Sequence, residues 1–122
     1  MTQRKLKIEK TREYVWRVFH FGSGAHHNWI TCWHVVDADT GERLTGGYSQ
    51  GNNTRSGYAE IERKKDAKAF IDGYEAATRG EVNYTSGHIG PYVRLTKEQR
   101  RGLDSEQQEQ FKHGARVALG GI

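Results

Sequence analysis

Apolar and aromatic residues alternate with others in EYVWRVFHF, residues 13–21, so that an extended chain carries Tyr14, Trp16, Val18 and His20 on one face and Val15, Arg17, Phe19 and Phe21 on the other. A period of two, rich in β-branched and aromatic residues, predicts a strand. GSGAHHN, residues 22–28, predicts a chain reversal. NWITCWHVV, residues 28–36, then predicts a second strand with Trp29, Thr31, Trp33 and Val35 on one face and Ile30, Cys32, His34 and Val36 on the other. Both faces are substantially apolar, which makes this strand central. DADTGER, residues 37–43, places Asp and Gly where a tight turn needs a side-chain acceptor and tolerance of positive φ. A third, weaker strand is expected at 43–49, with Gly46 and Gly47 marking a bulge or a close backbone approach. SQGNNTRSG, residues 49–57, has no apolar residue and reads as a loop, and YAEIE, residues 58–62, reads as a short fourth strand.

The period changes in RKKDAKAFIDGYEAATRG, residues 63–80, where Ala67, Phe70, Ile71, Tyr74 and Ala77 recur at three and four and predict a helix with one buried stripe. Lys64, Lys65 and Lys68 lie off that stripe, and Gly80 stands at the expected stop. Residues 80–95 hold further glycines and the only proline, Pro91, and predict an exposed connection ending in an extended run at 92–95. Capping-box pairs Thr96 with Gln99 and Ser105 with Gln108 predict a helical turn near 97–102 and a final helix near 106–119. On that helix Phe111, Ala115, Ala118 and Leu119 share a face, while Gly114 weakens it by about 1 kcal/mol relative to alanine.

Strands followed by helices predict a single α+β domain over 1–122, an antiparallel three- or four-stranded meander packed by one main helix, with a C-terminal helical segment at 96–122. One helix covers one sheet face only. Burial of the other face is therefore expected from a symmetric partner, which predicts a homo-oligomer.

A chain of 122 residues leaves room for one core of ordinary size. Only 34% of residues are hydrophobic, so the core must be thin, yet three Trp, six Tyr and four Phe argue against disorder. No apolar stretch reaches the roughly 18 to 20 residues of a membrane span, and the basic start is not followed by a secretory h-region. The single cysteine, Cys32, excludes an internal disulfide and fits a reducing compartment, so a cytoplasmic location is expected. The formal charge of +4 is local: residues 1–21 carry six basic groups (Arg4, Lys5, Lys7, Lys10, Arg12, Arg17) and two acidic ones, and the remainder is balanced. Residues 1–12 thus read as a basic arm or strand extension able to approach phosphate.

His26, His27, Cys32 and His34 form the one metal-like cluster, with Cys32 and His34 projecting from the same strand face, but no CxxC or HxxxH spacing supports zinc. Cys32 has no adjacent base or orienting group to make it a nucleophile. A His20–His34 acid/base pair lacks the paired motif of phosphodiester chemistry. GGYSQGN, residues 46–52, is not followed by a helix and is no phosphate loop, although Asn52, Asn53, Thr54 and Arg55 offer donors to an anionic or purine-like group. The stronger combination is Tyr14, Trp16, Trp29 and Trp33 on strands beside Lys10, Arg12 and Arg17, since aromatic faces stack bases and guanidinium groups hold phosphate.

WRVFHF, WITCWHVVDADTGERL and KKDAKAFIDGYEAA together resemble the strand–strand–strand–helix pattern of small accessory proteins encoded by bacteriophages and mobile elements. The resemblance covers residues 13–79 and implies a bacterial host cell; among such proteins are inhibitors of host defence that occupy a nucleic-acid-binding effector or sequester a nucleotide signal. The expectation is a non-enzymatic binding protein for a nucleotide-containing anionic ligand, nucleic acid or nucleotide signal, with no cofactor. Its contacts are expected at Arg12, Arg17, Asn52, Asn53, Arg55, Arg94, Arg100 and Arg101. Two alternatives stand beside it: a protein–protein inhibitor docking on a host defence complex, and a small metal- or histidine-dependent hydrolase.

Overall fold

The computed structural model describes residues 4–18, 25–45, 61–88 and 90–120, with backbone alone at 15–18 and 25–28. Two long strands, β1 (Leu6–Val18) and β2 (Ala25–Asp37), pair antiparallel from Leu6 opposite Asp37 to Val18 opposite Ala25. Then follow α1 (Lys64–Thr78), a small hairpin of β3 (Asn83–Gly87) and β4 (Gly90–Arg94), the short α2 (Lys97–Arg100) and α3 (Ser105–Ala118). The chain is α+β, with two antiparallel two-stranded sheets in place of the expected meander. The outer edge of β2 does take partners: Leu44 N–H donates to Val35 O, Asp37 N–H to Glu42 O, and Trp33 N–H to Ile61 O. Those contacts, with one isolated bridge between Val36 and Arg43, are too short to make a strand of 43–45 or of Ile61 and Glu62, and residues 46–49 and 58–60 of the expected third and fourth strands fall outside the described residues.

β1 begins at Leu6, so Lys7, Lys10 and Arg12 stand on a paired strand rather than on a loose arm. The turn after β2 is built as the DADTG sequence dictates. Asp37 Oδ1 accepts from the amides of Asp39 and Thr40 at 2.8 and 3.2 Å, and Gly41 takes φ of 78°. Those amides, reinforced by Arg4, hold the Asp37 carboxyl below its ordinary range.

α1 is the central element: it packs on the β1–β2 hairpin and on α3, which in turn meets β4. Its predicted stripe is buried at Ala67, Phe70, Tyr74 and Ala77, with Ile71 half-buried, and the core adds Val35, Leu44, Ile61, Val93, Leu95, Phe111, Ala115 and Ala118. α1 and α3 meet through glycine. A Cβ on Gly73 would lie 1.9 Å from the Phe111 carbonyl oxygen, and one on Gly114 would lie 1.9 Å from that of Phe70. Gly114 is thus a site of backbone contact rather than only a weak helix residue. Arg63 ties the starts of the two helices together: it donates in bidentate fashion to buried Asp66 at 2.7 and 2.6 Å and to Asp104 at 3.1 and 3.0 Å.

The cap of α2 is the predicted box, Thr96 with Gln99. The cap of α3 is one residue earlier than expected: Asp104, not Ser105, is the N-cap, and Gln107 completes the box. The stretch expected as an exposed connection holds β3 and the start of β4, and the extended run expected at 92–95 falls on β4 up to Arg94; all five β3 positions are exposed, so no alternation of burial marks them. Among the described residues no helix is long and apolar enough to cross a membrane.

Gly73→Ala and Gly114→Ala are each expected to lower stability in urea denaturation by at least the roughly 1–3 kcal/mol of an overpacked core. The sign is diagnostic, because alanine in an unconstrained helix interior stabilises by about 1 kcal/mol. A gain in stability would show that the helices are free to separate.

Candidate functional site

The register sorts the hairpin side chains. Cross-strand partners share a face, so Leu6, Ile8, Lys10, Arg12 and Tyr14 lie with Asp37, Val35, Trp33, Thr31 and Trp29. At one end of this face Ile8 and Val35 enter the core beneath α1. At the other end the rings are open: Tyr14 is 57% and Trp29 59% exposed, with centroids 5.1 Å apart and planes tilted by 48°. Between them the half-buried Trp33 ring has Lys10 Nζ at 5.3 Å and Lys64 Nζ at 5.7 Å from its centroid, both within cation–π reach. Arg12 is exposed, opposite Thr31. Two rings in tilted contact, a third ring and three cations therefore line one face. An aromatic surface with interleaved cations offers stacking to bases and charge to phosphates without reading sequence.

The opposite face holds the groups weighed for metal and nucleophilic chemistry, and it is closed. Cys32 and His34 are both 0% exposed. His34 Nδ1 lies 3.4 Å from the Thr45 carbonyl oxygen and Nε2 lies 2.9 Å from the Thr11 hydroxyl. A carbonyl only accepts, so in this contact Nδ1 is the donor. Glu13 Oε2 stands 3.8 Å from Nε2. A thiol without solvent contact and an imidazole held at both nitrogens are not placed for attack on a substrate. The partner opposite His34 is Glu9; His20, weighed for an acid/base pair with it, lies outside the described residues. Among the described residues no group of three His, Cys, Asp or Glu side chains is arranged to hold a metal; the side chains of His26 and His27 lie outside them. Cys32, His34 and Val36 are already enclosed within one chain, which removes the reason for expecting a symmetric partner on this face.

The other expected contacts are dispersed. Arg17 stands on β1 opposite His26, with its side chain outside the described residues, as are Asn52, Asn53 and Arg55 altogether. Arg94 ends β4, Arg100 ends α2 and Arg101 caps it, all exposed and all on elements separate from the long hairpin. Sequence reasoning passed over Lys64, which no periodicity on α1 connects to Trp33.

A second recess, also unforeseen, lies between α3 and the β3–β4 hairpin, with a volume of about 500 Å³. Its walls include His88 and Tyr92 from the hairpin and Lys112, His113 and Arg116 from α3. Burial pushes His113 down to about 4, against a weaker upward pull from Glu109 and with help from Arg116 and Lys112.

The chain matches no protein-family model, and no curated protein or solved structure is significantly similar to it.

The unfolded His113 ring takes up a proton near 6.5, whereas the folded ring refuses it until about 4. The stability linked to this group is therefore complete above 6.5 and is lost as pH falls from there towards about 4. Thermal melts across that window should decline in the parent chain and decline less in His113→Gln. Equal slopes would exclude His113 as the source.

Proposed function

We propose that this chain is a non-enzymatic binding protein for a nucleotide-containing polyanion, and that single-stranded nucleic acid is its ligand. The observation that carries the reading is the open Tyr14–Trp29 pair beside Arg12, Lys10 and Lys64 on one strand face. A protein with few aliphatic residues would be expected to consume its indoles in the core. Trp29 is instead 59% exposed, paired across the ladder with Tyr14, and its outer face is open to a further ring. The shape favours a strand over a free nucleotide: small ligands are held in concave sites, whereas Lys10, Arg12, Tyr14, Trp29 and Trp33 are set out along an extended ladder. In this reading Arg94, Arg100 and Arg101 meet only a ligand that continues beyond the hairpin. The resemblance to phage accessory proteins supplies a setting, interference with a nucleic acid handled by host defence.

Anisotropy of a labelled oligo-dT or oligo-U is the test. Trp29→Ala and Tyr14→Ala should each weaken binding by about 1–3 kcal/mol, roughly fivefold to more than a hundredfold. With three cations engaged, log K should fall with log salt at a slope of about −2, and Lys10→Ala or Arg12→Ala should reduce that slope by about 0.7. No binding at about 50 mM salt, or binding indifferent to Trp29, would overturn the reading and leave the aromatic pair as a protein-docking surface. Mass measurement of the same sample reports whether a second copy is present; the proposed contact does not require one.

A further inference from the structure

We infer that the recess between α3 and the β3–β4 hairpin is a separate binding site for a ring-bearing phosphate monoester, the chemistry of a 5′-mononucleotide. The inference does not rest on the strand-binding face. On α3 the residues Glu109, Lys112, His113 and Arg116 recur at spacings of three and four, and they line the recess. The opposite stripe, Phe111, Gly114, Ala115 and Ala118, is buried in the packing with α1. α3 thus has two faces with separate duties, one in the core and one turned to the cavity.

The second wall is the tip of the hairpin. Gly90 takes φ of 127°, and a Cβ on Gly87 would come within 2.9 Å of the Gly90 carbonyl oxygen, so both positions favour glycine. Its volume of about 500 Å³ falls in the range of small-ligand sites, about 300–1,000 Å³. Pro91, Val93 and Tyr92 give it an apolar side, and Tyr92 is 63% exposed at the rim, an aromatic face free to receive a ring.

The charge selects an anion. Lys112 and Arg116 are set against a single acid, Glu109, whose Oε1 lies 3.5 Å from Lys112 Nζ. Arg116 lines the recess, and its Nε, shielded from solvent, has no hydrogen-bond partner among the described residues, so the guanidinium is not fully committed to the fold. Buried guanidinium donors are ordinarily satisfied, and an unsatisfied one is costly. Phosphate oxygens supply acceptors in the planar geometry that a guanidinium prefers. His113, kept unprotonated at neutral pH by burial, adds a hydrogen-bonding group without adding charge. Two cations and one acid suit a monoester better than a polyphosphate.

The test is calorimetric titration of the full chain with 5′-AMP, inorganic phosphate and adenosine. We expect one equivalent of 5′-AMP to bind at least tenfold more tightly than either fragment. Arg116→Gln should weaken it at least tenfold, and Tyr92→Ala, a change at an exposed ring that spares the fold, should weaken it while leaving phosphate binding unchanged. Trp29→Ala should not alter 5′-AMP binding, and Tyr92→Ala should not alter oligonucleotide binding, which separates this site from the hairpin face. Adenosine bound as tightly as 5′-AMP, 5′-AMP binding indifferent to both Arg116→Gln and Tyr92→Ala, or loss of 5′-AMP binding in Trp29→Ala would each overturn the assignment.

Discussion

Two glycines facing the other helix's backbone set the terms for everything around them. Because Gly73 meets the Phe111 carbonyl and Gly114 meets that of Phe70, α1 and α3 approach main chain to main chain. Small side chains accompany that approach on both helices: Ala67, Ala69, Ala76, Ala77, Ala115 and Ala118 are all buried. Among the described residues, Phe70, Tyr74 and Phe111 contribute the large buried rings of the two helices. Dispersion gains depend on the number of close atomic contacts, so a tight seam of small side chains compensates for a shortage of bulky ones. A chain that is 34% hydrophobic can therefore complete its core without drawing on Trp29, Tyr14 or Tyr92.

Charge follows a similar division. Arg63 is committed to structure, bridging buried Asp66 and the α3 cap Asp104, and its bonds together with the Gln107 amide hold the Asp104 carboxyl well below its usual range. Lys64, the next residue, points its ammonium at Trp33 instead. Consecutive positions at a helix start face different neighbours, about 100° apart around the axis. One turn of α1 thus both anchors α3 and contributes a cation to the hairpin face.

Much of this was legible where one layer reads one face. The period of two in residues 28–36 and the period of three and four in 63–80 gave β2 and α1, because in each case a single partner buries a single stripe. β3 escaped notice because all its positions are exposed; that hairpin is defined by its ladder, its glycine turn and the one buried residue, Val93. The α3 cap slipped by one residue because Asp104–Gln107 and Ser105–Gln108 both satisfy the box pattern, and the choice is made by Arg63, forty-one positions away from Asp104 in the chain. At the candidate site, the grouping of Tyr14, Arg12 and Lys10 with Trp29 and Trp33 follows from alternation once the register is known. Their exposure does not, since periodicity separates two faces without saying which is covered. Gly114 looked like a local weakness for the same reason: its role is visible only from the other helix.

The register of the long hairpin is what separates contact from chemistry in this chain. With Ile8 and Val35 seated under α1, the odd positions of β2 carry Trp29, Thr31 and Trp33 outward along the same face, while Cys32 and His34 turn to the closed side. A slip of one residue would exchange the two sets, exposing the thiol and imidazole and turning the indoles to the side of Glu9, Thr11 and Glu13. Packing at the core end opposes that slip, because it would replace Val35 by a histidine beneath α1. The residues best suited to attack a substrate are thereby withheld from solvent, and those suited to hold a polyanion are presented to it. Both consequences follow from the same alignment of Val35 with the helix above it.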